Sequence, residues 1–170
     1  MVTIRQANQK DISAIAELYI KTWRYAYKGF LPAHFLKSLS VEYYKKVRKH
    51  HQENTDPVIA HFVAEHKGKI VGFCDVGPNR DQNVDSDCAE LYSLYVDPKM
   101  MGQGIGALLV WTGKDWLKKH GFSSATVWVL EEHSIGRRFY EERDWQLTTT
   151  SREVTQYNLT YREVRYKTQL

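Results

Sequence analysis

The sequence predicts a single α/β domain, of the α+β kind, in which about four helices flank a mixed sheet of about seven strands. Segments with a strand-like period of two and segments of helical period follow the order β-αα-βββ-αβαββ. Two adjacent β-rich segments joined by a short turn indicate a hairpin, and a glycine-rich loop links a later strand to a helix. At 170 residues and 42% hydrophobic content, residues 1–170 can bury one core of their own.

A strand and two helices are predicted in the first third of the chain. Residues 2–7 alternate like a strand, and a helix begins near Asp11, where apolar residues start to recur at helical spacing. Gly29 and Pro32 end this helix. A second helix begins near Ser40, a good N-cap residue because its hydroxyl accepts a hydrogen bond from the first helical turn.

The middle of the chain is predicted as a hairpin between two loops. Residues 54–57 form the first loop, and residues 58–66 and 69–77 are β-rich. The pair Lys67-Gly68 between them suits a two-residue turn. Residues 78–87 are rich in Asn and Asp and are predicted to form a surface loop.

The remaining strands and helices lie in the second half of the chain. They are predicted as a strand at 89–96, a helix at 107–120, a strand at 125–130, a helix at 134–143 and strands at 146–150 and 155–167. Gly121 follows the first of these helices and is expected to end it in the left-handed backbone conformation.

Three glycines lie between the strand at 89–96 and the helix that follows it, in the run Gly102-Gln103-Gly104-Ile105-Gly106. Glycine lets a backbone turn sharply and approach a ligand closely. The unpaired N–H groups and the positive dipole end of the next helix attract anions. This loop is therefore predicted to bind the phosphate or pyrophosphate of a ligand.

Two nucleotide-binding motifs compete for these glycines. A P-loop needs Lys-Ser or Lys-Thr after its last glycine, and Ala107-Leu108 follows here, so this motif is excluded. The dinucleotide motif G-x-G-x-x-G/A matches Gly102, Gly104 and Ala107. That motif normally opens a repeating βαβ series, whereas most of this chain lies upstream and includes a hairpin. The local match nevertheless leaves a dinucleotide site open.

Composition favours a cytoplasmic protein and gives no sign of a metal, a nucleic acid or a membrane as partner. The net charge of +4 is mild and spread out, which fits an anionic ligand or an ordinary basic surface. No segment is long and apolar enough to span a bilayer, and residues 1–10 lack the apolar core of a signal peptide. Cys74 and Cys88 form no C-x-x-C pair, and the adjacent His50 and His51 lack a third metal ligand at suitable spacing.

Three segments, in order along the chain, carry a resemblance to a known family. The run WRYAYKG at 23–29 resembles the first-helix region of the GNAT superfamily of N-acetyltransferases. The run LYSLYVDPKMMGQGIGALL at 91–109, which joins a strand to the glycine loop, resembles the acetyl-CoA signature of that superfamily. The run WVLEEHSIGRRFY at 128–140, which joins a strand to a helix, resembles its second strand-helix block. The resemblance covers nearly the whole chain, and three motifs in order make it specific.

The resemblance implies that acetyl-CoA is the co-substrate and that its acetyl group passes to a primary amine of a small molecule or peptide. It also implies a splayed pair of parallel strands, 90–96 and 125–130, with the pantetheine arm hydrogen-bonded along the first. The residues implied in cofactor binding are Leu94, Tyr95, Val96, Met101, Gly102, Gln103, Gly104, Ile105, Gly106 and His133. Met101 departs from the family's usual Gln or Arg, and His133 stands where Asn is frequent.

Acetyl transfer to an amine requires a base for the amine, a donor for the oxyanion and an acid for the departing thiolate. Glu90 is the candidate base, directly or through water, and the alternative is an exposed carboxylate at a strand end. Tyr140 is the candidate acid, because the resemblance places its hydroxyl near the CoA sulfur, and the alternative is a core tyrosine. A backbone N–H of Tyr95 or Val96 is expected to stabilise the oxyanion. His133 is either a proton shuttle or a loop or capping residue.

The acceptor is expected to enter between the N-terminal helices and the sheet. Aromatic residues that line a pocket or pack in the core there are Trp23, Tyr27, Phe30, Tyr43 and Tyr44. Glu42 and Asp81 are candidates for binding a cationic amine, or are solvated charges. A non-catalytic module that binds CoA or another phosphorylated ligand is the second function class, and the sequence leaves a homodimer open.

Overall fold

The structure, a computed structural model, describes residues 1–53, 56–156 and 159–170. Its strands are β1 (Val2–Gln6), β2 (Ala60–His66), β3 (Lys69–Pro78), β4 (Cys88–Val96), β5 (Ser124–Leu130), β6 (Gln146–Gln156) and β7 (Leu159–Gln169). Its helices are α1 (Ile12–Ala26), α2 (Ala33–Ser38), α3 (Val41–Glu53), α4 (Ile105–Lys119) and α5 (Ser134–Glu141). The predicted class and the sheet of seven strands are confirmed over these described ranges.

All seven strands belong to one mixed sheet, in the order β1-β2-β3-β4-β5-β7-β6. Strands β4 and β5 are parallel, and the other neighbouring strands are antiparallel. Because parallel neighbours need a long connection, the chain crosses from β4 to β5 through α4. The glycine loop that precedes α4 therefore lies at the end of a central strand.

Helices cover both faces of the sheet. Successive residues of a strand point to opposite faces, so one strand packs against helices on both sides. On β2, Phe62 packs in one apolar cluster with Leu109 of α4, and its neighbour Val63 packs in another with Ile15 and Leu18 of α1. Burial of such a side chain stabilises the fold by about 1.5–3 kcal/mol. The central strands that lead to the glycine loop are thus held from both sides.

Helix α2 is an addition to the prediction, which had only a break in this region. Pro32 is its N-cap, a position near the helix start that the fixed φ of proline tolerates. Its six residues are too few to show a helical period in the sequence. Tertiary packing stabilises it, since Phe35 and Leu36 are buried in a cluster with Trp23 of α1.

The predicted division between the last two strands is wrong. Strand β6 continues to Gln156 rather than ending at 150, and β7 begins at Leu159 rather than at 155. The polar residues before the turn continue the pairing, so that Thr155 lies opposite Thr160. Residues 54, 55, 157 and 158 lie outside the described residues, and with them part of the predicted loop at 54–57 and of the predicted strand at 155–167.

Three local signals of the sequence are confirmed. The Tyr43 backbone N–H donates to Ser40 Oγ at 3.2 Å and caps the start of α3. Lys67 and Gly68 have φ values of 50° and 73° and turn the chain from β2 into β3. Gly121, with φ of 89°, ends α4 in the left-handed conformation.

Candidate active site

A cleft opens where the parallel strands β4 and β5 part. Their pairing runs from Cys88 opposite Ser124 to Leu91 opposite Val127, although β4 continues to Val96 and β5 to Leu130. Backbone groups on this side of β4 after Leu91 therefore have no partner in the β5 ladder. Such groups bind another chain, a ligand or water, because unpaired polar groups are costly to bury.

A β-bulge shapes the strand at the point of parting. Ser93 lies opposite Asp75 and Leu91 opposite Val76, so Tyr92 has no counterpart on β3. A bulge bends its strand and increases the local twist. The bulge thus lies where the pairing of β4 with β5 ends.

The glycine loop forms one end of the cleft. Gly102 and Gly104 have φ values of 76° and 77°, a region that side chains rarely adopt, and open space lies where their Cβ atoms would be. Gly104 is the N-cap of α4 and supplies no side-chain hydrogen bond to the first turn. The space beside Gly102 and Gly104 is free of side chains, and together with the unpaired N–H groups that begin a helix this arrangement fits a pyrophosphate.

Most residues predicted to bind the cofactor line this one cleft, which has a volume of about 650 Å³. Those that line it are Leu94, Tyr95, Val96, Met101, Gly102, Gly104, Ile105, Gly106 and His133, together with Glu90 and Tyr140. Gln103 is not among the lining residues, and its side chain lies 3.8 Å from Met100 Sδ. The Tyr95 hydroxyl accepts a hydrogen bond from Trp23 Nε1 at 3.0 Å. The backbone of Tyr95, rather than its side chain, is therefore the part available to a cofactor.

Tyr140 lies on α5 with its ring buried at 6% exposure. The ring makes edge-to-face contacts with Phe139 and Trp145, with centroid distances of 5.1 and 5.4 Å. Its hydroxyl has no hydrogen-bond partner within the described part of the chain, and the residue lines the cleft. Burial raises the pKa of Tyr140 well above its ordinary value, so the phenol holds its proton at neutral pH.

His133 precedes α5 as its N-cap residue, without a capping hydrogen bond from its side chain. Its half-buried imidazole lies 5.8 Å from the ring of Tyr27, measured between centroids. Burial lowers the pKa of His133, because the charged form loses hydration. The imidazole is thus a neutral group between the first helix and the second strand-helix block.

Glu90 is buried at 1% exposure, so the alternative of an exposed strand-end carboxylate is wrong. Its oxygens accept hydrogen bonds from the Nε and Nη2 atoms of Arg80, and the Arg80 backbone N–H donates to Oε2 at 3.1 Å. Arg80 also lies over the Tyr92 ring, 4.4 Å from its centroid. The carboxylate therefore lies beneath a guanidinium at the edge of the cleft.

Charged residues from three segments surround Trp128 at this end of the cleft. The guanidinium of Arg152 lies 4.2 Å above the Trp128 ring and donates to Glu163 at 2.8 Å. Asp81 accepts from Trp128 Nε1 at 3.1 Å and from Arg165 at 3.3 Å. Sequence reasoning missed the arginines and Glu163, since they come from a polar loop and from strands that carry no recognisable motif.

The aromatic residues assigned to the acceptor pocket divide into two groups. Trp23, Tyr27 and Phe30 line the cleft. Tyr43 and Tyr44 on α3 do not: Tyr43 is 56% exposed, and Tyr44 stacks on Tyr19 with centroids 3.7 Å apart. The pocket is therefore formed by α1 and the segment after it.

The two acids proposed for a cationic amine are already paired. Glu42 accepts a hydrogen bond from Lys45 at 2.7 Å on the surface of α3. Asp81 is engaged by Trp128 and Arg165. Neither is positioned in this structure to bind an ammonium group in the cleft.

Neither a metal-binding cluster nor a membrane-spanning helix is found in the described ranges 1–53, 56–156 and 159–170. Within them no three His, Cys, Asp or Glu side chains are placed to hold a metal ion. No helix in these ranges has the length and apolar character needed to cross a bilayer.

The parted strands and the glycine loop define a class of enzyme domain that holds a phosphorylated co-substrate where two central strands of a mixed sheet part. A sequence profile described as "Acetyltransferase (GNAT) family" matches residues 13–145. The chain belongs to this family and is an acetyl-CoA-dependent acyltransferase. The glycine loop is therefore that of an acetyltransferase and not of a dinucleotide-binding unit.

Relatives and solved structures agree with this assignment. The uncharacterized N-acetyltransferase YuaI of Bacillus subtilis is 36% identical over 134 residues, which span 78% of this chain and 74% of the relative. Spermidine N(1)-acetyltransferase of Thermoplasma acidophilum is 23% identical over 154 residues, or 88% of this chain and 91% of the relative. The crystal structure of PaiA N-acetyltransferase from Thermoplasma acidophilum in complex with coenzyme A has a TM-score of 0.77 and 19% identity, covering 100% of this chain and 99% of that one. This last likeness concerns the fold alone.

Proposed function

We propose that the protein transfers the acetyl group of acetyl-CoA to a primary amine of a small molecule or peptide, by direct attack of the amine and with Tyr140 as general acid. One observation carries the proposal: the unpaired edge of β4, the glycine loop, Glu90 and Tyr140 all line a single cleft. The backbone groups proposed to bind the co-substrate and the side chains proposed for the chemistry thus border one space.

In this proposal acetyl-CoA lies along β4, with its pyrophosphate at the glycine loop. The backbone of residues 94–96 binds the pantetheine arm, since β5 does not pair with it there. The N–H groups of Gly102, Gln103, Gly104, Ile105 and Gly106 bind the pyrophosphate, and the side chains of Met101 and His133 border the bound molecule. Met101 is 40% exposed and gives apolar contact where the family usually has a polar side chain.

The amine must be neutral before it attacks the thioester carbonyl. An alkylammonium has a pKa of about 10.4, so a base assists at neutral pH. Glu90 is proposed for this role. Because its side chain is only 2% exposed beneath Arg80, the proton reaches the carboxylate through a water molecule rather than by direct contact.

Attack of the amine produces a tetrahedral oxyanion, which then collapses and breaks the carbon–sulfur bond. A backbone N–H of Tyr95 or Val96 is proposed as the donor to the oxyanion, because this part of β4 borders the parting of the strands. The electron pair of the broken bond leaves on sulfur as a thiolate. The products are the acetylated amine and CoA.

Tyr140 is proposed to protonate that thiolate. With ordinary pKa values of about 8.5 for a thiol and about 10 for a phenol, full transfer is uphill by roughly 2 kcal/mol. Burial raises the pKa of Tyr140 further, and the same loss of water raises that of the thiol. The transfer is favourable only where the thiolate is itself poorly hydrated, because loss of hydration raises the proton affinity of the thiolate.

The cytoplasm is proposed as the place of action. Cys74 and Cys88 are both buried free thiols, which suits a reducing compartment.

A thiol-release assay across a panel of amines tests the proposed function. Acetyl-CoA is incubated with each amine, free CoA is titrated with a thiol reagent, and the amine is omitted in the control. We expect amine-dependent release and an acetylated product with the added mass of one acetyl group. Calorimetric binding of CoA without release by any amine would instead favour a non-catalytic CoA-binding module.

A further inference from the structure

Two ion pairs line one part of the cleft. In each pair the basic side chain is more exposed than the acidic one. We call this region the acceptor end and define it by Arg80, Glu90, Trp128, Arg152 and Glu163. All five residues line the cleft. Their relative exposure decides which charge an incoming molecule meets.

The first pair joins a buried acid to an exposed base. The side chain of Glu90 is 2% exposed and that of Arg80 is 60% exposed. Two nitrogens of the guanidinium donate to Glu90, and Nη1 has no hydrogen-bond partner among residues 1–53, 56–156 and 159–170. Arg80 therefore neutralises the acid below it and still presents donors to the cleft.

The second pair also joins a less exposed acid to a more exposed base, and Arg152 Nη1 lies 3.8 Å from a further acid, Asp81. Arg152 is 40% exposed and Glu163 is 18% exposed. The Arg152 guanidinium carbon lies 4.2 Å from the centroid of the Trp128 ring, so a cation–π contact as well as the ion pair holds its position. Lys28 and Arg143 also line the cleft as basic residues.

We propose that the amine acceptor carries an anionic group, a carboxylate or a phosphate, which binds Arg80 and Arg152 at the acceptor end. The inference rests on the proposed function, because it concerns the second substrate of that same cleft. A guanidinium presents a planar fork of N–H donors that matches the oxygens of carboxylates and phosphates. Amino acids and amines bearing a phosphate have the required chemistry.

A polyamine fits this end poorly. Its second ammonium group would need an accessible acid, and both acids of the acceptor end lie behind arginines. The second ammonium group would also lie close to the exposed guanidinium groups, and the repulsion between these like charges weakens binding. The acceptor named for the spermidine-acetylating relative is thus not the one that this cleft favours.

Matched pairs of amines test the inference. Each pair differs only in the anion: an α-amino acid against its α-amide, and phosphoethanolamine against ethanolamine, with spermidine as the polycation. Thiol release gives kcat/KM for each, and calorimetry on the CoA-loaded protein gives affinity for each without turnover. The two pairs also separate a carboxylate from a phosphate as the preferred group.

Two variants and a control accompany the panel. Arg152→Gln should lower kcat/KM and affinity for the anionic member about 10-fold or more, the effect of one charged hydrogen-bonding group, with little change for its neutral counterpart. Arg80→Gln should lower affinity for the anionic member to a similar extent, and calorimetry alone is compared for this variant, because it also leaves the proposed base Glu90 without its partner. Arg152→Gln also uncovers Glu163, so binding of spermidine should improve. Arg162→Gln, which removes a 55% exposed arginine of β7 outside the cleft lining, should leave all values at the parental level.

A preference for the anionic member that both cleft variants reduce supports the inference. Equal or better binding of the amides, of ethanolamine or of spermidine by the parent protein overturns it. If none of the amines releases thiol, the proposed function fails, and the calorimetric comparison still decides whether the acceptor end binds anions. Loss of folding in a variant is checked by its thermal midpoint, and the selectivity of the parent protein then decides between the two outcomes.

Discussion

Arg48 of α3 donates through Nη1 to both carboxylate oxygens of Asp75 on β3, at 2.8 and 2.7 Å. The Arg48 side chain is wholly buried and that of Asp75 is 8% exposed. His61 Nδ1 lies 2.7 Å from Asp75 Oδ1, and the Ser93 hydroxyl donates to Oδ2. The pair thereby ties α3 to three central strands, directly behind the wall of the cleft that Ser93 lines.

Removing the cation of this pair should strongly destabilise the protein. Arg48→Met leaves a buried carboxylate without its main counter-charge, a change that typically costs about 3–5 kcal/mol. We expect the lower part of that range, since His61 and Ser93 still contact Asp75, and the Arg48 atoms Nε and Nη2 have no hydrogen-bond partner among the described residues. Urea unfolding followed by circular dichroism measures the change.

The exposed pair of Glu42 and Lys45 on the same helix provides the control. Glu42 is 78% exposed, so Glu42→Gln should leave the unfolding midpoint unchanged. The double change Arg48→Met with Asp75→Asn should recover part of the loss, because no buried charge remains. Equal midpoints for Arg48→Met and the parent would mean that the buried pair contributes nothing to stability.

Stability should decrease in acid through the same carboxylate. Burial raises the pKa of Asp75, and Arg48, His61 and Ser93 more than offset this effect, so the pKa lies below its ordinary value. A group whose folded pKa is lowered stabilises fully above its unfolded pKa of about 3.9, and this contribution is lost as the pH falls further.

The parent protein should therefore lose stability below about pH 4 more steeply than Asp75→Asn, by up to about 1.4 kcal/mol per pH unit. Asp11 adds to the acid sensitivity of both proteins, because its hydrogen bond from Arg5 lowers the pKa of Asp11 as well. The measurement is the free energy of unfolding at a series of pH values from 2.5 to about 6. Parallel curves for the two proteins would contradict the role given to Asp75.

A side chain introduced into the glycine loop should weaken CoA binding, whereas one introduced at the other end of α4 should not. Gly104→Val places a side chain at φ of 77° in the space proposed for the pyrophosphate, so calorimetry should find CoA affinity lowered about 10-fold or more. Gly121→Val is a matched control, since its φ is 89° and its Cβ would also meet open space, but at the other end of α4. The two variants should lose similar stability, and only the first should lose CoA. Parental affinity in Gly104→Val would remove the pyrophosphate from this loop.

The architecture was predictable because capping residues and turn glycines act on backbone groups close to them in the sequence. Much of the acceptor end was not, because its contacts join residues that are far apart in the sequence. Ser40 and Gly121 act through backbone groups within a few residues, so their roles follow from the sequence alone. Arg80, in the loop after β3, donates a hydrogen bond to Glu90 of β4, and Arg152 of β6 lies over the ring of Trp128 on β5. No periodicity records such contacts, because they depend on register and on the bulge in β4.

The charge of Glu90 should matter most where the amine is protonated. Glu90→Gln keeps the hydrogen-bonding shape and removes the proposed base, and loss of a general base typically costs about 10²- to 10⁴-fold. The loss in kcat/KM should shrink as the pH approaches the amine pKa, since a neutral amine needs no base. Rates measured from pH 6 to about 10 check this, and an unchanged profile would leave Glu90 as the partner of Arg80 only.

Tyr140→Phe separates the acid from the packing. The ring keeps its edge-to-face contacts with Phe139 and Trp145, and only a hydroxyl without a hydrogen-bond partner in the described residues is lost. CoA affinity and the unfolding midpoint should therefore stay at parental values, while single-turnover acetyl transfer slows by on the order of 10²-fold. Replacing acetyl-CoA by a thioester whose thiol has a lower pKa should reduce the difference, because a better leaving group needs less protonation. If Tyr140→Phe transfers at the parental rate with both thioesters, the residue serves packing, and water or another side chain protonates the thiolate.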